Sequence, residues 1–286
     1  MFEPSDCPII LVFGVTGVGK TTLRFSLERR ILEKFLPLLH QNPDQIAVSG
    51  IEAIPIPWGR FSYKDYYIRV LESLKKVLVE YKINYDLVES NFLRKQLSKF
   101  DNKDSTSLRR LMEKIFCHCQ LKAFTVDQAE YLFMLASARQ LFNQIDWIQS
   151  LAKTTETRHI LFGDYKLPSC FLLRAQAARL SEDIHLLPYQ VDNPGDTVEL
   201  IKVIKNFQLN LPLLQEPDLV QHYQYLFHGS VGCVGILKNW LVKSLVIALS
   251  EEAHTLTIKH LELGALESSR LIRIRQEAVE GFRSHS

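Results

Sequence analysis

Residues Gly14-Val15-Thr16-Gly17-Val18-Gly19-Lys20-Thr21 fit the pattern G-x-x-x-x-G-K-[ST], a phosphate-binding loop. Such a loop works only between a strand and a helix, and both flanks meet that demand. Ile9-Ile10-Leu11-Val12-Phe13 is a short apolar run that reads as a buried strand, and Thr22-Leu23-Arg24-Phe25-Ser26-Leu27-Glu28 opens a helix. The glycines let the backbone curl so that its N–H groups face an anion, and the helix turns its positive dipole end toward the same point. Lys20 is expected to reach the β- and γ-phosphates of a nucleotide, and the Thr21 hydroxyl to ligate Mg²⁺. The candidate nucleotide-binding set is Gly14, Val15, Thr16, Gly17, Val18, Gly19, Lys20, Thr21 and Thr22.

A second landmark is Leu121-Lys122-Ala123-Phe124-Thr125-Val126-Asp127-Gln128. Its β-branched and aromatic residues read as a strand that delivers an acid at its carboxyl end. In phosphate-loop enzymes such an acid, here Asp127, holds the Mg²⁺ shell, so Thr21 and Asp127 are the candidate metal residues. The next residue is normally Glu where a water must be activated. Here it is Gln128, whose amide positions a water but cannot take its proton. Glu130 could serve only if the turn after the strand brings it back. His159–Tyr165 reads as a further strand, with Asp164 facing the γ-phosphate as a sensor or, equally, capping the strand.

Around these landmarks the chain reads as alternating elements. Leu23, Leu27, Ile31, Leu32 and Phe35 recur at helical spacing, with Pro37 marking the end. A strand is expected in Gln45–Ile54, around Ile46-Ala47-Val48, then a helix capped by Ser62 and carrying Tyr67, Val70, Leu71 and Leu74. Residues 82–107 read as a surface helix and a loop. Helices are expected at Leu108–Cys119, Leu141–Ala152 and Phe171–Leu180, and a last strand at Ile184–Leu187. Beyond Asp192-Asn193-Pro194-Gly195-Asp196 no β-branched strand follows. Helices are expected at Thr197–Leu209, Pro217–Phe227, Val234–Leu249 and Ile258–Glu280, the last capped by Thr257. The boundary is placed near residue 191, between an α/β nucleotide-binding domain (1–191) and a helical domain (192–286).

Composition narrows the partners. The formal net charge of +2 over 286 residues announces no nucleic-acid partner globally, so any DNA contact must come from a local patch. The five scattered cysteines suit free thiols in a reducing cytoplasm better than a disulfide framework. Cys117-His118-Cys119 has the wrong spacing for a zinc finger. Residues 1–8 hold two acids and two prolines, so no secretory leader is expected before the first strand. No apolar run approaches the ~20 residues that span a bilayer, so no membrane partner is expected.

The block from Leu108 to His185 carries a resemblance. Leu108-Arg109-Arg110-Leu111-Met112-Glu113, the Asp127 strand, Ser150-Leu151-Ala152-Lys153-Thr154-Thr155 leading to His159-Ile160-Leu161-Phe162-Gly163, Gln176-Ala177-Ala178-Arg179 and Asp183-Ile184-His185 resemble the TniB/TnsC family. Gly232-Cys233-Val234-Gly235-Ile236-Leu237-Lys238-Asn239-Trp240-Leu241 matches its lid. These are AAA+ ATPases of transposons, including CRISPR-associated ones. The resemblance covers nearly the whole chain. It implies an AAA+ P-loop NTPase core with a parallel sheet and a small helical lid, with ATP and Mg²⁺ as cofactors. It further implies a homo-oligomer, a ring or helical filament around double-stranded DNA, bridging a TniQ-like target-selection protein and a TnsB-like transposase. ATP binding would permit assembly, and hydrolysis would dismantle it.

Lys20, Asp127, Gln128, Asp164 and Arg179 are the candidate catalytic residues. Arg179, at the end of the helix before the last strand, would supply a cation to a neighbour's γ-phosphate or, equally, is a surface arginine or a local ion pair, with Arg174 as the second candidate. The segment before the Asp127 strand would line the ring, making Lys99, Lys103, Arg109 and Arg110 the candidate DNA contacts and Lys95 a weaker one. Two departures stand out. The family reads Glu-Ala-Gln-His where this chain has Gln128-Ala129-Glu130-Tyr131, and many relatives carry Arg where this chain has Ile236, leaving Lys238 the nearest lid cation. Gln128 keeps open a scaffold that binds ATP without turning it over. A helicase loader or insertion-sequence helper ATPase is a near neighbour. A metabolic kinase lacks support because no second substrate motif follows.

Overall fold

The computed structural model describes residues 8–285 apart from 43, 56–60, 86–90, 99, 101–102 and 134–136. The chain begins with β1 (Ile9–Phe13), α1 (Lys20–Gln41), β2 (Val48–Glu52), α2 (Tyr63–Tyr85), α3 (Asn91–Gln96) and α4 (Ser105–His118). It continues through β3 (Ala123–Asp127), a 3₁₀ turn (Ala129–Leu132), α5 (Ala138–Thr155), β4 (Arg158–Gly163), α6 (Lys166–Leu172), α7 (Ala175–Arg179) and β5 (Ser181–His185). Then come α8 (Pro194–Leu209), a short turn (Val220–His222), α9 (Tyr223–Ser230), α10 (Val234–Ser250), α11 (Ile258–Gly264) and α12 (Ser268–His285). Two compact units result. One holds the residues up to Phe13 with Thr21–Ile184; the other holds Gly14–Lys20 with the residues from His185 onward.

The strands form one sheet in the order β2-β3-β4-β1-β5, and the pairs β2–β3, β3–β4 and β4–β1 are parallel. Near-continuous apolar strands suit a parallel sheet covered on both faces. Ile9, Leu11, Phe124, Val126, Leu161 and Phe162 are fully buried. The register places Glu52 beside Asp127 and Phe13 beside Gly163 at the carboxyl edge. Ligands of open α/β sheets bind at that edge.

Local chemistry sets several helix ends. Asp104 caps α4 by accepting from Thr106 N–H at 2.9 Å and Ser107 N–H at 3.0 Å. Ser137 and Gln140 form a capping box at the start of α5. Ser62 Oγ accepts from Asp65 N–H at 3.2 Å at the start of α2. In the second unit Leu200, Ile204, Leu226, Leu237, Trp240 and Leu261 share a buried cluster. Each such side chain contributes about 1.5–3 kcal/mol by leaving water.

The structure revises several sequence expectations. Helix α1 does not stop at Pro37 but runs on to Gln41, with Leu39 buried in its last turn. The expected helix Phe171–Leu180 is two, broken at Arg174, whose backbone is extended (φ −129°, ψ 117°) while its guanidinium pairs with Asp146 of α5. The last strand ends at His185 rather than Leu187. The expected helix Ile258–Glu280 is also two, because Gly264 lies against Ser244 and Ala265 turns extended. The expected Pro217–Phe227 helix is a short turn followed by α9. Among the described residues no single helix is long and apolar enough to cross a membrane.

Candidate nucleotide site

The phosphate loop belongs to the second unit. Gly17 (φ +83°) and Gly19 (φ +115°) take backbone conformations that L side chains rarely adopt. Lys20 Nζ donates to Gly14 O at 2.7 Å and Val15 O at 3.1 Å, so the lysine is folded over the hollow of its own loop. The Gly235 N–H, in the first turn of α10, donates to Gly17 O at 2.8 Å. A β-carbon on Gly17 would lie 2.7 Å from Ile236 Cγ1, and one on Gly14 would collide with Leu186 O. The loop therefore packs on α10 through an apolar residue, the buried Ile236, while Lys238 is exposed. Val15 is buried, Thr16 exposed, and Val18 N–H closes a turn onto Val15 O.

In the first unit, Thr21 Oγ1 donates to Asp127 Oδ2 at 2.7 Å. Asp127 is buried at the end of β3, and its Oδ1 accepts the Gln128 N–H at 3.0 Å. A hydroxyl and a carboxylate are hard oxygen donors, the kind Mg²⁺ takes alongside substrate phosphates. Lysine and a glycine-rich backbone likewise suit a nucleotide's phosphates. Among the described residues no group of three or more His, Cys, Asp or Glu is placed to hold a metal, so phosphates would have to complete the shell. Cys119 is buried with its thiol pushed up to about 12, and His118 pairs with Asp44 at 3.1 Å.

Past Asp127 the chain turns sharply. Gln128 is left-handed (φ 51°, ψ 39°) and its Nε2 donates to Glu52 Oε1 at 2.6 Å. Its amide is thus directed to the end of β2. The following 3₁₀ turn brings Glu130 back over β4, with Oε2 2.6 Å from where a β-carbon of Gly163 would sit. Asp164, next in the chain, lies just before α6: its Oδ1 accepts the Lys166 N–H at 2.9 Å. Arg179 ends α7 and is exposed, whereas Arg174 is tied to Asp146 and covers Phe142 at 5.4 Å. Thr22 is exposed in the first turn of α1.

Of the four expected DNA contacts, Lys99 lies outside the described residues. Lys103 and Arg110 are exposed. Arg109 is not a free cation: its Nε donates to Glu113 Oε1 at 2.7 Å, and its charge acts on Tyr63 and Tyr67. Lys95 is exposed on α3.

Residues near Asp127 that the motifs do not reveal are the buried Arg24 and Thr125 and the partly buried Glu28, which form a polar group beside it. Their one sequence signal is spacing: Lys20, Arg24 and Glu28 recur every fourth residue and so share a face of α1.

The sheet order, the loop after β1 and the acid ending β3 define a P-loop NTPase of the AAA+ class. The chain belongs to the AAA domain family, which matches residues 3–171. Among solved structures it is similar to the Walker-type ATPase PABY2304 of Pyrococcus abyssi, with 14% identity over 99% of this chain and 71% of that one, at a TM-score of 0.55. It is also similar to the Aeropyrum pernix ORC2 protein, solved as ADPNP–ADP complexes, with 14% identity over 91% and 62% of the chains at a TM-score of 0.55. The Aeropyrum pernix ORC1 protein, solved in complex with DNA, gives 15% identity over 89% and 58% at a TM-score of 0.56. The chain thus spans less than two thirds of either Orc protein. No curated protein matches it.

Proposed function

We propose that this chain is an ATP-dependent regulator of transposition that assembles on duplex DNA as a ring or helical filament and links a TniQ-like selector to a TnsB-like transposase. The observation that carries the nucleotide half of this reading is the hydrogen bond from Thr21 to Asp127, which joins two motifs 106 residues apart in an AAA domain. The resemblance from Leu108 to His185 supports the transposition half. The ORC1 protein's complex with DNA is in keeping with a DNA partner.

When bound, MgATP supplies the phosphoanhydride that water cleaves, and the metal polarises its γ-phosphate. Lys20, which donates to the carbonyls of Gly14 and Val15, would bind the phosphate oxygens in their place. Thr21, through its hydroxyl oxygen, and Asp127, through its carboxylate, would be the residues that hold the metal. Gln128 hydrogen-bonds a water without accepting its proton, so turnover is slow. Arg179, exposed at the end of α7, supplies a cation to a neighbour's γ-phosphate. Mixing Arg179→Ala with Lys20→Ala subunits tests that role: partial recovery of turnover supports a shared site, and full activity of Arg179→Ala alone removes it.

The decisive experiment is electron microscopy of the chain with duplex DNA and a slowly hydrolysed ATP analogue, with Lys20→Ala as control. Ordered rings or filaments that need both ligands and fail in the control are expected. A monomer under all conditions overturns the assembly reading. The bond from Gln128 to Glu52 favours a second reading, a scaffold that uses ATP only as a structural ligand; it predicts assembly without any turnover. A helicase loader would differ in its partners alone.

A further inference from the structure

Asp127 is not alone at the end of β3. Arg24, on the second turn of α1, is 7% exposed, an unusual depth for an arginine. Its Nε–H donates to Glu28 Oε1 at 2.8 Å and to Thr125 Oγ1 at 3.1 Å. Thr125 in turn donates to the same oxygen of Glu28. Arg24 Nη1 stands 3.9 Å from Asp127 Oδ2, the oxygen that also accepts from Thr21. The side chains of Arg24 and Asp127 are 8% and 5% exposed, so water screens this pair poorly.

The neighbouring strand is shaped for the group. Gly50 of β2 lies beside Thr125 in the register, and a β-carbon there would collide with Thr125 Oγ1 and come within 2.8 Å of Glu28 Oε1. A side chain at position 50 would crowd Thr125 and Glu28, the two groups that Arg24 bonds. Glu28 leaves Arg24 half engaged: its Nε is bonded, while Nη1 faces the carboxylate that the nucleotide reading assigns to the metal.

We propose that Arg24 is a resident counter-cation of the metal site, which keeps Asp127 aimed before nucleotide arrives and repels a bare divalent cation, so that metal enters only together with phosphates. The inference rests on the reading of Asp127 as the metal-shell acid. Its physical basis is simple. One carboxylate and one hydroxyl bind Mg²⁺ weakly, and a fixed positive charge on the carboxylate weakens that further. A triphosphate brings several negative charges and reverses the balance. Arg24 touches no substrate atom and is a positioning residue.

The test is calorimetric titration of the whole chain with Mg²⁺ alone and then with Mg²⁺ in the presence of an ATP analogue. Arg24→Gln keeps a donor for Glu28 and Thr125 but removes the charge. It is expected to tighten binding of Mg²⁺ alone by roughly tenfold or more, because charges a few ångströms apart at a poorly screened site interact by more than that factor requires. Arg24→Lys, which keeps the charge, is expected to return the affinity to within a few-fold of the parent. A folded Arg24→Gln chain that binds Mg²⁺ alone no better than the parent overturns the proposal, as does Arg24→Lys behaving like Arg24→Gln. If Arg24→Gln does not fold, Glu28→Gln reads the same charge from the other side. Freed of its partner, Arg24 then acts on Asp127 alone, and the Mg²⁺ concentration for half-saturation with nucleotide should rise several-fold; no change sinks the idea. Failure of the parent to bind any ATP analogue would instead overturn the nucleotide reading, and the titration with Mg²⁺ alone tells the two failures apart.

Discussion

Gly235 and Gly17 meet backbone to backbone: the N–H of the first donates to the carbonyl of the second at 2.8 Å, and a β-carbon on Gly235 would stand 2.8 Å from that same oxygen. The phosphate loop is thus shaped by the start of α10 as well as by its own glycines. Gly17→Ala adds a left-handed strain of about 1–2 kcal/mol and a collision with Ile236. It should weaken binding of a fluorescent ATP analogue by roughly tenfold or more. Parent-like affinity would show that this contact does not shape the loop.

Gln128→Glu should raise ATP turnover, by up to ~10²-fold where proton transfer limits the rate. The new carboxylate would face Glu52 in place of the present hydrogen bond from the Gln128 amide, so adding Glu52→Gln should raise turnover again. Steady-state phosphate release reads both. Should Gln128→Glu change nothing while Glu130→Gln slows the parent, the base is Glu130, which the 3₁₀ turn returns to Gly163.

Lys103→Ala combined with Arg110→Ala should lower duplex-DNA affinity in the presence of ATP and flatten its salt dependence, by roughly 0.9 in logarithmic slope per lost phosphate contact. Arg109→Ala should change the slope less and the stability more, because Arg109 is paired with Glu113. Filter binding across a salt series measures the slopes. Equal slopes in parent and double variant, with assembly intact, would move the DNA surface elsewhere.

Burial depresses the imidazole of His159, fully enclosed in β4, from its ordinary 6.5 to about 4. The unfolded chain therefore binds a proton at a pH where the folded chain does not. This contribution is fully present above pH 6.5 and is lost as pH falls toward 4, amounting to about 3 kcal/mol over that window. Urea unfolding at pH 7.5 and pH 5 should show the fall, and His159→Gln should flatten it. An undiminished fall in that variant would assign it to other groups.

How much of this was legible depended on the range of the chemistry involved. The loop and Asp127 could be read because each motif is contiguous and its flanks carry their own periodicity. The break at Arg174 could not, because what holds it is Asp146, 28 residues away on another helix. Pro37 reads as a stop, yet burial of Leu39 keeps the last turn of α1 helical. Arg24 looks like any surface arginine at a four-residue spacing. Only the parallel pairing of β2 with β3 shows that Gly50 leaves room for Thr125 and Glu28, the groups that hold Arg24.

The two units also carry separate optical reporters. The Trp147 indole is buried in the first and donates to the Tyr67 hydroxyl at 2.9 Å. The Trp240 indole is buried in the second and donates to the Leu261 carbonyl at 2.7 Å. Trp58, the remaining tryptophan, lies outside the described residues. With Trp58→Phe as background, removing either of the others in turn leaves one emitter per unit. Fluorescence then distinguishes a chain that melts as one body from a chain whose helical unit loosens first, with no label attached.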